Sequence, residues 1–178
     1  MAKKLFLGIH LNTYQRQEIS QLQSHFSADV MLIPITHLHM TLAFFGLVSN
    51  KTQRKLEKRI SALRKPVFSI TLNQLTHWKK AKILCISGEA KDNNLLQLVK
   101  ECQLLAAALN LPRSKHVFKA HITVARKAQQ LPELPTSQQL FKALLIKPKQ
   151  IHLFESKSCN NGVEYRILRS WPLHKQVN

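Results

Sequence analysis

Near the N-terminus Leu5, Leu7 and Ile9 alternate with Phe6 and Gly8, which predicts a buried strand. Thr13 is placed to cap a helix whose apolar face is Ile19, Leu22 and Phe26. Residues 30–33 and 39–45 are expected strands around a turn at Pro34. Ser49 then opens a basic amphipathic helix with Leu56, Ile60 and Leu63 at helical spacing, closed by Pro66. Residues 68–75 and 83–86 predict two strands joined by the polar segment 79–82. Asp92 starts a helix that carries Leu95, Val99, Cys102, Leu105, Ala106 and Leu109 on one face, with Pro112 after its end. A strand at 121–125 precedes a Pro-containing loop at 131–135, and strands follow at 144–146, 151–155 and 163–168.

Strands interspersed with helices, several of them adjacent in sequence, predict an α+β fold rather than a doubly wound parallel sheet. No Gly- or Ser-rich linker interrupts the 178 residues, so residues 1–178 are expected to form one unit. The pattern also echoes itself. In each half a long amphipathic helix accompanies a strand that begins His-x-Thr: His39-Met40-Thr41-Leu42 and His121-Ile122-Thr123-Val124.

Charge narrows the function. The chain has 27 Lys and Arg against 9 Asp and Glu, a formal net charge of +18 and a sequence pI near 10.3. An excess of that size suits an anionic partner, nucleic acid first, although a solvated cationic surface would look the same. The basic residues are scattered (Lys79, Lys80 and Lys82; Lys115 and Lys119; Arg126 and Lys127; Lys147 and Lys149; Arg166 and Arg169), which fits a folded surface better than a tail. Cys85, Cys102 and Cys159 are odd in number and lack a Cys-x-x-Cys pair, which argues against a disulfide framework or a thiolate zinc site. No apolar run reaches transmembrane length and none reads as a signal peptide, so the expected location is the cytoplasm.

The chemistry lies in the repeated motif. Strand residues i and i+2 share a face, so His39 and Thr41 are expected to point one way and Met40, Leu42 and Phe44 the other. His121 and Thr123 repeat this against Ile122 and Val124. Facing each other across a cleft, the two strands would supply two imidazoles and two hydroxyls. That set fits opening of an RNA 2′,3′-cyclic phosphate without a metal. One imidazole takes a proton from water, the other gives one to the leaving ribose oxygen, and the hydroxyls bind the non-bridging oxygens. One His-x-Thr among 9 histidines would be weak evidence, and the duplication supplies the weight.

These residues resemble the two-histidine (2H) phosphoesterase superfamily, in particular the bacterial RNA 2′,3′-cyclic phosphodiesterases, historically called 2′-5′ RNA ligases. Residues 38–46 are similar to its first motif and residues 121–126 to its second. Phe154-Glu155-Ser156, Tyr165 and residues 168–173 are similar to its C-terminal strand pair. The resemblance implies a bilobal α+β fold, two pseudo-symmetric lobes of antiparallel sheet with helices outside and a central cleft. It also implies His39 and His121 as the catalytic pair, expected as proton donor and proton acceptor respectively, with the reverse equally open. Thr41, Thr123 and Arg126 are implied as phosphate binders, although strict alternation turns Arg126 away from His121 unless the strand ends or bulges at Ala125. Ala120 stands where the family usually has Pro, and His37 where it often has Asn; His37 is read as a rim histidine.

The expected activity is hydrolysis of a terminal 2′,3′-cyclic phosphate to a 2′-phosphate, with 2′-5′ joining accessible in reverse and no cofactor or metal. The partner is RNA with such an end, or a cyclic nucleotide; no membrane is involved, and the protein is expected to be a monomer. The alternative is a non-catalytic basic RNA-binding module, which the charge alone would also explain. A metallohydrolase is disfavoured by the lack of a His-Glu-x-x-His pattern. Trp78 and Phe45 are read as packing aromatics, Glu155 as a sheet-edge carboxylate, and His152 and His174 as unpartnered.

Overall fold

The computed structural model describes residues 2–114, 116–132, 143–159 and 162–175. In these residues the chain runs β1 (Ala2–His10), α1 (Thr13–Gln23), β2 (Met31–Leu32), β3 (His39–Ser49), α2 (Asn50–Ala62), β4 (Ile70–Leu72), β5 (Gln74–Trp78), β6 (Ile83–Gly88), α3 (Asn93–Ala108), β7 (Ala120–Arg126), β8 (Leu144–Ile146), β9 (Gln150–Cys159) and β10 (Gly162–Pro172). The α+β class expected from the alternation holds. Lys115 and positions 133–135 of the expected Pro-containing loop lie outside the described residues.

One antiparallel sheet carries the strands in the order β10-β9-β1-β3-β7-β6-β5, with β2 paired to β7; β4 and β8 form a separate two-stranded sheet. The large sheet is two halves joined edge to edge. Strands β10, β9, β1 and β3 are bound by long ladders, and so are β7, β6 and β5. Between the halves the register holds a single pair, Met40↔Ile122 on β3 and β7. Residues of both strands line a cavity there. Helices α2 and α3 pack against β3, and α1 against β7. They bury Ile19, Leu22, Leu56, Ile60, Leu95 and Leu98 on the face that Leu5, Leu7, Met40, Ile122 and Val124 present.

Local chemistry sets the ends of the elements. Asn12, one residue earlier than expected, caps α1: its side chain accepts from the Gln15 amide, and Gln15 Oε1 accepts from the Asn12 amide. Ser49 and Asp92 cap α2 and α3 as expected. Helix α2 stops at Ala62, short of Pro66, where the buried Lys65 ammonium donates to the carbonyls of Ile60, Ser61 and Leu63 at 3.1, 2.9 and 2.5 Å.

Two expectations need correction. The strand expected at 68–75 is two strands on different sheets, β4 and β5, broken at Asn73. Helix-independent packing explains the switch: β4 leans on β6 at Gly88, where a Cβ would run into the Thr71 carbonyl oxygen. The second correction concerns Phe44. It shares the face of His39 and Thr41, because β3 holds an extra residue between the pairs Gly8↔Thr41 and Leu7↔Ala43. That bulge buries both Leu42 and Ala43 and inverts the alternation beyond them.

Candidate active site

His39 and His121 occupy matching places on β3 and β7. Carrying the Met40↔Ile122 register one residue each way sets His39 across from Thr123 and Thr41 across from His121. A pseudo-dyad therefore passes between Met40 and Ile122, both fully buried. All four polar side chains are half-buried on the other face of their strands, the alternation read from the sequence.

Each imidazole is fixed by the same device. His39 Nδ1 lies 2.7 Å from the carbonyl oxygen of His37, and His121 Nδ1 lies 2.7 Å from that of Lys119. A carbonyl only accepts, so Nδ1 carries the hydrogen in both rings, leaving Nε2 as the titrating nitrogen. The carbonyl comes from two residues upstream in each case. The substitution of Ala120 for the usual Pro leaves this bond intact.

Arg126 joins the site through a bulge. Cys85 pairs with Thr123 and Leu84 with Ala125, so β7 holds one extra residue at Val124. Val124 and Ala125 are both buried, and Arg126 returns to the face of Thr123. A cavity of about 270 Å³ is lined by His39, Thr41, Thr123, Arg126, Phe44 and Tyr165, among others. His121 is not among its lining residues and packs against the ring of Trp78 at a centroid distance of 4.4 Å. The Thr123 hydroxyl rests 3.7 Å from Cys85 Sγ.

Aromatic rings enclose His39. Tyr165, Phe6 and Phe154 have centroids 4.7, 4.8 and 5.9 Å from its ring. Their packing dominates its protonation. Burial, then repulsion from His121, Arg126 and His10, lowers its pKa to about 4, against the opposing pull of the His37 carbonyl. His121 is also lowered by burial, with the Lys119 carbonyl opposing. Burial thus disfavours the charged form of both rings.

His37 lines the same cavity and sets its ring edge-on to Tyr165 at 5.5 Å, which makes it a wall of the cleft as well as the holder of His39. Phe45 is fully buried packing, as expected. Glu155 lies within β9 between β1 and β10, and neither histidine uses it; their Nδ1 partners are backbone carbonyls. Trp78, Phe44 and Tyr165 carried no site role in the sequence reading. Only sheet order brings Trp78 over His121 and Tyr165 over His39, and no local pattern announces it. Among the described residues, no group of three or more His, Cys, Asp or Glu is arranged to hold a metal ion. No described helix is long and apolar enough to cross a membrane.

No family model matches the chain. Curated relatives do. The RNA 2′,3′-cyclic phosphodiesterase of Escherichia coli (strain K12) is 25% identical over 173 residues, covering 96% of this chain and 97% of that protein. A protein of the same name from Archaeoglobus fulgidus is 24% identical over 136 residues, 74% of this chain and 76% of its own length. Among solved structures, E. coli LigT complexed with 3′-AMP superposes with a TM-score of 0.88 at 24% identity, covering 98% of this chain and 100% of that one. The chain is similar to these relatives along most of its length and shares the fold of that solved structure, with a His-x-Thr strand on each side of a pseudo-dyad.

Proposed function

We propose that the protein hydrolyses the 2′,3′-cyclic phosphate at an RNA end to a 2′-phosphate, by acid/base catalysis between His39 and His121. The observation that carries this reading is the pseudo-dyad of two Nδ1-anchored imidazoles beside a cavity lined by Thr41, Thr123 and Arg126. Relatives named for that activity support it. A binding module would leave the two anchored imidazoles without a task.

In the proposed reaction a neutral imidazole takes a proton from water as the water oxygen bonds to phosphorus. The P–O3′ bond breaks, the other imidazole protonates O3′, and the P–O2′ bond is retained. Thr41 and Thr123 donate hydrogen bonds to the non-bridging oxygens, and the Arg126 guanidinium offsets their growing charge. With a 5′-hydroxyl in place of water, the same groups would form a P–O5′ bond as the P–O3′ bond breaks and O3′ is protonated, which leaves a 2′-5′ linkage.

The two histidines match in geometry but not in electrostatics. Burial and repulsion from His121 and Arg126 weigh on His39, which suits it to the neutral, proton-accepting role, and His121 then supplies the donated proton. The order expected from the sequence, with the reverse left open, has His39 as donor and His121 as acceptor. The proposed reaction needs no residue of a second chain, in keeping with one unit over residues 1–178 acting as a monomer. The free thiols Cys85, Cys102 and Cys159 suit the reducing cytoplasm.

The test is to incubate the protein, with excess chelator, with an oligoribonucleotide ending in a 2′,3′-cyclic phosphate and to identify the product isomer. A 2′-phosphate at undiminished rate is the expected result. A 3′-phosphate, or loss of activity with the chelator, would overturn the mechanism.

A further inference from the structure

A second, larger cavity of about 560 Å³ lies beyond the site, between the end of β1, the start of α1 and the turn from β8 into β9. Its lining includes His10, Arg16, Lys147, Lys149 and His152, and no Asp or Glu. Among the described residues, ion pairs join only Lys91 to Glu89 and Arg169 to Glu57, so the cations here are not neutralised within the fold. Gathering like charges in one recess opposes folding unless an anion enters to meet them.

The recess is built rather than incidental. Buried Gln15 on α1 donates to the Leu145 carbonyl of β8 at 3.0 Å, which ties its two walls together. Arg16 is held at its floor, with Nε donating to the Leu11 carbonyl at 2.9 Å and one terminal nitrogen 3.3 Å from His10 Nδ1. Those contacts fix the guanidinium while leaving most of its five N–H donors for a ligand. His152 is oriented by Ser170 Oγ at 2.7 Å.

The recess also connects to the candidate active site. His10 is the register partner of His39. It lines both this cavity and a small pocket of about 50 Å³ that reaches His37, His39 and Tyr165. A chain seated with its end at His39 would pass His10 next.

We propose that this cavity is a second phosphate site, which holds an internal phosphodiester of the RNA strand upstream of its cyclic end. The inference rests on the activity proposed above, and it adds a subsite which distinguishes an RNA chain from a mononucleotide. Arg16 clamps the phosphodiester with its planar fork, and Lys147 and Lys149 neutralise it from the opposite wall.

The test compares a 2′,3′-cyclic mononucleotide with a short oligoribonucleotide that has the same end, using the variant Lys147→Gln with Lys149→Gln and, separately, Arg16→Gln. Both lysines are exposed, so the double variant folds even if the Arg16 change disturbs α1. For the oligonucleotide, KM rises about tenfold at unchanged kcat, and in the lysine variant the slope of log KM against log salt drops by about 1.4, or 0.7 for each lysine. Mononucleotide kinetics stay as in the wild type. Equal KM values for wild type and variants on the oligonucleotide, or parallel losses on both substrates, would overturn the proposal. So would tight binding of inorganic phosphate that the lysine variant abolishes without changing oligonucleotide KM, since the recess would then be a free-anion site. If the wild-type protein turns over neither substrate, the proposed activity fails by itself. Anisotropy with a labelled oligoribonucleotide then decides the subsite, and undiminished affinity in the lysine variant sinks it.

Discussion

Phe44 and Arg126 are equivalent residues, each five positions after its histidine and each returned to the cleft face by a bulge in its own strand. The pseudo-dyad thus relates an aromatic ring on one side to a guanidinium on the other. Lys4 lies over the Phe44 ring at 5.6 Å, which brings a cation to that side by another route. The skeleton of the site is symmetric, and its charge is not. In the proposed reaction a single cyclic phosphate needs only one strong cation beside it, and the half that carries Arg126 would provide it.

Replacing Arg126 tests this division. Arg126→Ala is expected to lower kcat/KM about a hundredfold, the scale for losing one charged contact that strengthens in the transition state. Because the Arg126 charge helps to hold the His39 pKa down, the same variant raises that pKa. Steady-state kinetics and NMR titration of the His39 ring measure the two effects. A kinetic loss with an unmoved His39 titration would place Arg126 away from the pair.

The roles of the two histidines separate on leaving-group chemistry. His39→Ala and His121→Ala should each reduce turnover of the cyclic phosphate by at least about a hundredfold. On a p-nitrophenyl phosphodiester the leaving group departs without a proton. The variant that lacks the donor should then recover relative to wild type, and the one that lacks the acceptor should not. Recovery is expected for His121→Ala. Recovery in His39→Ala instead would restore His39 as donor.

Acid should destabilise the fold through His39. Its pKa falls from 6.5 to about 4 on folding, so between those values the unfolded chain binds the proton and the folded one does not. Stability is full above about pH 6.5, declines as pH falls, and the loss is complete below the folded value. Denaturant midpoints at pH 7 and pH 4.5 measure it. A His39→Gln variant should show a smaller drop between the two, and an equal drop would assign the acid sensitivity elsewhere.

Gly88→Ala tests how β4 is held. The added methyl would meet the Thr71 carbonyl oxygen, a backbone atom that cannot swing aside. Destabilisation of about 2 kcal/mol is expected, within the range for overpacked interiors. Turnover per folded molecule should not change, because Gly88 does not line the cavity beside His39. Thermal melts and activity corrected for the folded fraction check both parts.

Much of this was legible in the chain. The period of two in His39-Met40-Thr41-Leu42 and His121-Ile122-Thr123-Val124 sets an imidazole and a hydroxyl on one face and apolar groups on the other, because alternation is a local property of extended backbone. Helical spacing gave α2 and α3 with their caps at Ser49 and Asp92. Alternation failed beyond Leu42 and Val124, since a bulge depends on the partner strand. Leu7 and Gly8 of β1 and Leu84 and Cys85 of β6 set those registers. For the same reason strict alternation puts Phe44 on the wrong face and reaches Arg126 only through a bulge.

By itself the sequence determined which polar residues share a face of each motif strand, because residue type and local periodicity are written in the chain. The tertiary structure decided how they meet. The lone Met40↔Ile122 pair that sets His39 across from Thr123 joins strands some eighty positions apart. The ring of Tyr165 reaches His39 only through the order β10-β9-β1-β3, and Trp78 reaches His121 only through β5-β6-β7. Those neighbours bury the imidazoles, and burial sets their proton affinity. That property belongs to the surroundings rather than to the residue, so no reading of the chain alone could supply it.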